Sequence, residues 1–167
     1  SLMIESNPKL TKTKFNNYMK KMVINQLSIN LMEWQPIVPA SQLAQFEKMA
    51  QKETLTNYRV IQPDSSGKGW ESVRGRNEYV PVLYAWPESY RTQGYDMSFS
   101  PIRMESKLQS SSTGRPIASG TFPFMKEGKV DSGSIAVAIS STAFDADQKP
   151  IGYLAAVVDL PTLFQTT

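Results

Sequence analysis

The sequence predicts an α+β domain: an antiparallel sheet of about five strands packed by helices, with a long helix at its N-terminus. Three observations carry that prediction. Apolar and β-branched runs at residues 58–61, 79–84, 117–124, 134–139 and 151–158 have strand composition and are separated by turn chemistry. A helix with both ends marked lies among them, near residues 101–112. Helical spacing dominates the first third, and helices grouped ahead of successive strands give an α+β layer arrangement rather than alternating βα units.

The elements follow in order. Asn7 can cap a helix with Pro8 at its first position, and Leu10, Phe15, Tyr18, Met19, Met22 and Val23 recur at mostly helical spacing, predicting a helix over residues 7–32. Lys9, Lys12, Lys14, Lys20 and Lys21 read as its solvated face, with an anionic lipid surface as the alternative. The stretch Trp34-Gln35-Pro36-Ile37-Val38-Pro39 ends it, because two prolines so close forbid a continuous hydrogen-bond ladder. A second helix is predicted from Ser41 to Glu53, with Leu43, Phe46, Met49 and Ala50 on one side. The polar turn 63–69 contains Gly67-Lys68, but Gln62 and Gly69 stand where a phosphate loop needs glycine and Ser or Thr. Further on, Ser100 can cap the middle helix, Pro101 takes its first position, and Gly114 with Pro116 stops it. Asp145 to Lys149 is a turn of hairpin length, and Pro161 opens a terminal helix.

Composition narrows the chemistry. The chain has 167 residues, 40% hydrophobic and 20% charged, with neither cysteine nor histidine. One core suffices at this length. Cys/His zinc sites, cysteine nucleophiles, histidine-ligated haem and Ser-His-Asp triads are excluded. No cofactor or metal is expected. A net charge of +3, with basic and acidic residues interspersed, does not describe a nucleic-acid protein. Among the acids near the middle helix, Glu88, Asp96 and Glu105 have no fixed separation, so a paired-carboxylate hydrolase is not expected. With no run of about 18 apolar residues and no signal-peptide pattern, the chain as given is expected to be soluble.

Several pieces in order resemble the CHASE domain, a sensor module of histidine kinases, diguanylate cyclases and related receptors, including the plant cytokinin receptors. They are Leu31-Met32-Glu33-Trp34-Gln35-Pro36-Ile37-Val38, Tyr79-Val80-Pro81-Val82, Gly94-Tyr95-Asp96, Ser100-Pro101 with Arg103, Thr113-Gly114 and Gly152-Tyr153. The resemblance covers roughly residues 31–164. It implies a PAS-like core over residues 54–160, preceded by an N-terminal helical region over residues 1–33, in a single domain of residues 1–167. It further implies an extracytoplasmic, periplasmic position, flanking transmembrane segments outside this sequence, a homodimer formed through the N-terminal helix, and an unknown small-molecule ligand. A separate cytoplasmic kinase or cyclase domain would carry the output.

The family's ligand-binding aspartate matches Asp96. A family contact made by backbone falls at Ala118, and one made by a threonine falls at Val137, so adenine-type specificity is not implied at either side chain. On physical grounds Asp96 has two readings: a partly buried carboxylate that needs donors a ligand could supply, or an Asx-type turn serving the following helix. Tyr84, Trp86, Tyr95 and Phe122 are either pocket walls or core, and Arg103 either pairs with a surface acid such as Glu105 or meets an acidic ligand. The competing functional class is a constitutive dimerisation or protein-docking module whose pocket is filled by its own side chains.

Overall fold

The computed structural model describes residues 10–23, 29–126 and 129–165. In chain order its elements begin with α1 (Lys12–Val23), β1 (Leu31–Pro36), β2 (Val38–Pro39), α2 (Leu43–Glu53), β3 (Ile61–Pro63) and β4 (Trp70–Ser72). Then come β5 (Glu78–Tyr79), β6 (Tyr84–Trp86), α3 (Pro101–Thr113), β7 (Ile117–Ala118), β8 (Phe122–Lys126), β9 (Lys129–Phe144), β10 (Pro150–Asp159) and α4 (Leu160–Gln165). The main sheet is antiparallel and six-stranded, ordered β6-β1-β10-β9-β7, with β8 also on β9. β2 with β5 and β3 with β4 form separate two-stranded pairs.

Three expectations need correction. The run 58–61 is not a strand of the main sheet: only its last residue, Ile61, is in a strand, β3, which pairs with β4 outside that sheet. The helix predicted over residues 7–32 is not long: α1 has 12 residues, and Leu31 and Met32 already belong to β1. Residues 7–9 and 24–28 lie outside the described residues. β1 is hydrogen-bonded on both sides, with Glu33 opposite Ala155 of β10 and Ala85 of β6. The apolar run 79–84 is also not one strand. It is extended and buried throughout, but its start pairs with β2, Pro81 bridges Asp96, and its end pairs with β1 as β6.

The alternation of β1 separates two cores. Met32 and Trp34 face a cluster containing Phe15 and Met19 of α1, Ala50 of α2, Tyr58 and Tyr84. Phe15 and Tyr84 rings lie 5.7 Å apart, which seats α1 on β6. Leu31 faces the opposite cluster, with Val80, Val82, Tyr95, Met97, Phe122, Phe124, Tyr153 and Val157. α3 covers this second side. Its limits match the sequence prediction, with Pro101 in the first turn and Gly114 closing it at φ 66°. Ser100 occupies the cap position, but its hydroxyl makes no capping bond; its carbonyl accepts from Met104 instead.

A polar cleft between the sheet and helix α3

Asp96 is wholly buried, and its carboxylate is engaged by the protein itself. Oδ1 accepts from the backbone N–H of Val80 at 2.8 Å and of Ser98 at 3.1 Å. Oδ2 accepts from the Ser98 hydroxyl at 2.6 Å and from Arg76 at 3.3 Å, an ion pair with a half-buried guanidinium. Arg76 also donates to Gln62 at 2.7 Å. These bonds fill the usual acceptor directions of a carboxylate. Through them Asp96 caps the short 3-10 turn Met97–Phe99 and pins segment 94–98 between Val80 and Ile61.

Gly94 makes that segment possible. Its φ is 93°, and a Cβ there would sit on the Arg59 carbonyl oxygen. The pinned segment then delivers Tyr95, stacked on Trp70 at 4.2 Å, together with Met97 and Phe99, to a cavity under α3. Leu31, Glu33, Thr92, Arg103, Phe124 and Val157 complete its wall. It measures about 20 Å³, room for about one water molecule. Asp96 is not part of that wall.

The expected site residues therefore separate into two groups. Tyr95, Phe122 and Arg103 gather under α3, where the guanidinium carbon lies 3.9 Å from the centre of the Phe122 ring and a guanidinium nitrogen sits 2.9 Å from Met97 Sδ. Arg103 makes no ion pair with Glu105; Glu105 is exposed and accepts from Gln109. Tyr84 and Trp86 pair with Trp34 and Met32 and so face the α1 side, where the Tyr84 hydroxyl bonds Glu53 and the Leu10 carbonyl. Val137 sits between the inward-facing Ala136 and Ala138, and Ala118 pairs with Ile139, so both side chains also turn away from α3.

What the sequence did not signal is how polar the α3 side is. The buried residues of the helix are Ser106, Lys107 and Ser110, while its Ile102 and Leu108 are exposed. Below it, one register row crosses four strands as Ala85, Glu33, Ala155 and Ser140. Glu33 and Gln35 are both 1% exposed and bonded to each other at 2.6 Å. Lys107 is 0% exposed; its Nζ donates to Ser140 Oγ at 3.3 Å and lies 5.8 Å from the Tyr153 ring centre. Burial, and then the Arg103 charge, push the Lys107 amine down to about 7, against a smaller upward pull from Glu33. Burial also lowers Arg103, and Glu33 opposes it there too. At the helix C-terminal end, the Ser110 hydroxyl accepts from both the N–H and the hydroxyl of Thr142, and Ser111 reaches Thr142 and Tyr153.

The model of the CHASE domain family matches residues 8–167 of this chain. The chain belongs to the CHASE domain family. CHASE domains are extracytoplasmic sensor modules without catalytic function. In fold, this CHASE domain is also similar to a solved structure of "Methyl-accepting Chemotaxis protein X", at 8% sequence identity and a TM-score of 0.50. The alignment covers 98% of this chain and 51% of that one, so the CHASE domain spans about half the length of that structure. No curated protein sequence matches it. Among the described residues no helix is long and apolar enough to cross a membrane, and no group of acidic side chains could hold a metal ion.

Proposed function

We propose that this CHASE domain is the ligand-sensing part of a transmembrane receptor, a histidine kinase or a diguanylate cyclase or phosphodiesterase, lying on the periplasmic side. The ligand is a small molecule taken up between α3 and the sheet. The observation that carries the reading is the buried polar interface there: a helix whose covered side is Ser106, Lys107 and Ser110 over a sheet row of Ala85, Glu33, Ala155 and Ser140. A helix serving only as a lid is cheapest to seat with apolar side chains, because each buried polar group needs a partner. The strand order β6-β1-β10-β9, finished by β7 and β8, supports a PAS-like plan, in which this cleft is the concave ligand space.

In this reading Tyr95 and Phe122 are walls, Arg103 is the movable gate, and Asp96 holds the wall-forming segment in place. A ligand donor reaches Asp96 only by displacing Arg76, the longest of its four contacts. Two copies pair through α1, and segments outside this sequence carry the signal across the membrane. Ligand binding acts by favouring one packing of α3 on the sheet; switching a receptor from mostly off to mostly on takes about 5.5 kcal/mol of preference between the two states.

The test is a thermal-shift screen with amines, amino acids, purines, amides and carboxylates. A ligand that binds only the folded domain raises its melting temperature. Stabilisation that disappears on Tyr95→Ala or Phe122→Ala supports the sensor, whereas no stabilisation by any class favours a docking module whose cleft is permanently filled by Arg103, Met97 and Lys107.

A further inference from the structure

We infer that the ligand of this cleft carries a carboxylate, or a small anion of like shape, received by Arg103 and Lys107 from α3. The inference deepens the sensing role proposed above and rests on it.

Arg103 and Lys107 stand one helical turn apart, which puts both on the same side of α3. One buried carboxylate, Glu33, exerts its charge on both. Two cations therefore share one acid, and that acid is already bonded to Gln35. Among the described residues neither cation lies within ion-pair distance of any carboxylate. The guanidinium is a planar fork built for two parallel bonds to a carboxylate, yet its hydrogen bond goes to a thioether, a weak acceptor. Lys107 has three donors, and its bond goes to one hydroxyl. Buried charge is normally paired, so the cleft has more cationic donors than acceptors, and an anion would both pair Arg103 and favour the protonated form of Lys107.

Two neutral groups point the same way. Thr92 is buried against the cavity, and its hydroxyl has no hydrogen-bond partner in the protein. The Gln35 carbonyl oxygen, next to Glu33, has none either. The Thr92 hydroxyl and the Arg103 guanidinium line the cavity and can both donate to one carboxylate there; Lys107, one helical turn along α3, and the Gln35 oxygen, beside Glu33, lie behind that wall and join once Arg103 moves. An amine would instead meet the Arg103 charge and donors that offer it no acceptor. The cavity of about 20 Å³ is too small for such a ligand as it stands. Arg103 is half-buried and held by a ring face and a sulfur, so it is the side chain that swings to make room.

The experiment measures melting temperature and calorimetric affinity for acetate, succinate, citrate and glutamate, with succinamide as the uncharged isostere of succinate, all at one ionic strength. At least one carboxylate is expected to bind, and succinamide is not. Arg103→Gln should weaken the binding carboxylate tenfold or more. Lys107→Met should weaken it severalfold in a domain that folds at least as well as the parent. Glu33→Gln should tighten it, because the competing internal acid is gone; general damage to the fold would not give that sign. Failure of every carboxylate, equal binding of succinamide, or Glu33→Gln weakening the carboxylate each overturns the inference. If an amine or purine stabilises the domain while all carboxylates fail, the sensing role stands and the anion assignment falls; if nothing binds, both fall.

Discussion

Replacing Lys107 by methionine should make the protein more stable and should flatten its response to pH. The ordinary lysine value of 10.5 applies to the unfolded chain, and burial brings the folded value to about 7. Between those values the unfolded state binds the extra proton, so stability rises with pH across the interval. Each pH unit well inside it is worth about 1.4 kcal/mol, and rounding near the lower end leaves a gain of about 2 kcal/mol from pH 7 to pH 9. Below pH 7 the amine is charged in both states, and the cost of burying it, on the order of 5 kcal/mol, is borne in full. Methionine has similar volume and no charge, and it gives up only the Ser140 hydrogen bond, worth about 1 kcal/mol. Lys107→Met should therefore gain on the order of 3 kcal/mol at pH 7 and lose the rise toward pH 9. Burial raises the Tyr58, Tyr84 and Tyr95 phenols, whose contribution is lost as pH climbs past 10, so the window closes there. Urea unfolding at pH 7, 8 and 9 and fixed ionic strength reads all of this. A flat parent profile, or a variant with the parent's slope, would refute the reasoning, as would a variant less stable than the parent at pH 7.

Asp96→Ala removes four accepted hydrogen bonds and leaves the Val80 and Ser98 N–H groups without them, so a loss of about 3–4 kcal/mol in urea unfolding is expected. Because Asp96 pins the segment that seats Tyr95 on Trp70, near-ultraviolet dichroism should change with it, and an unchanged spectrum would argue that the stack is held from elsewhere. Gly94→Ala meets both a left-handed backbone and the Arg59 carbonyl oxygen, and should cost about 3 kcal/mol or more. If it unfolds in urea like the parent, segment 94–98 relaxes more easily than its hydrogen bonds indicate.

The parts of the fold legible in the sequence are those written in local chemistry. Pro101 and Gly114 mark α3 within a residue, and the turn from Asp145 to Lys149 correctly joins the last two strands, with Asp145 accepting from both Asp147 and Lys149. β1 was missed for a physical reason. Leu31 and Met32 continue the helical spacing and Pro36 with Pro39 mark a break, while Glu33 and Gln35 interrupt any apolar run, so no strand pattern stands out although the strand is buried on both sides. The same blindness covers Lys107, which in a serine-rich helix looks like any solvated lysine until a sheet is placed beneath it. Asp96 was legible as a special carboxylate, but its donors come from Arg76, Val80 and Ser98, and only the last is close enough in sequence to be anticipated.

β1 and β10 lie side by side, and the tie continues beyond the sheet: Asn30 donates its N–H to Val157, while its side chain accepts from the N–H of Asp159. The segments on either side, back toward α1 and forward into α4, are thus clamped at one corner. Glu33 lies on β1 three residues after Asn30 of that clasp, so the sheet row under α3 and the two flanks are joined through β1. In the sensing role proposed above, that clasp favours a joint displacement of the two flanks over a widening of the gap between them.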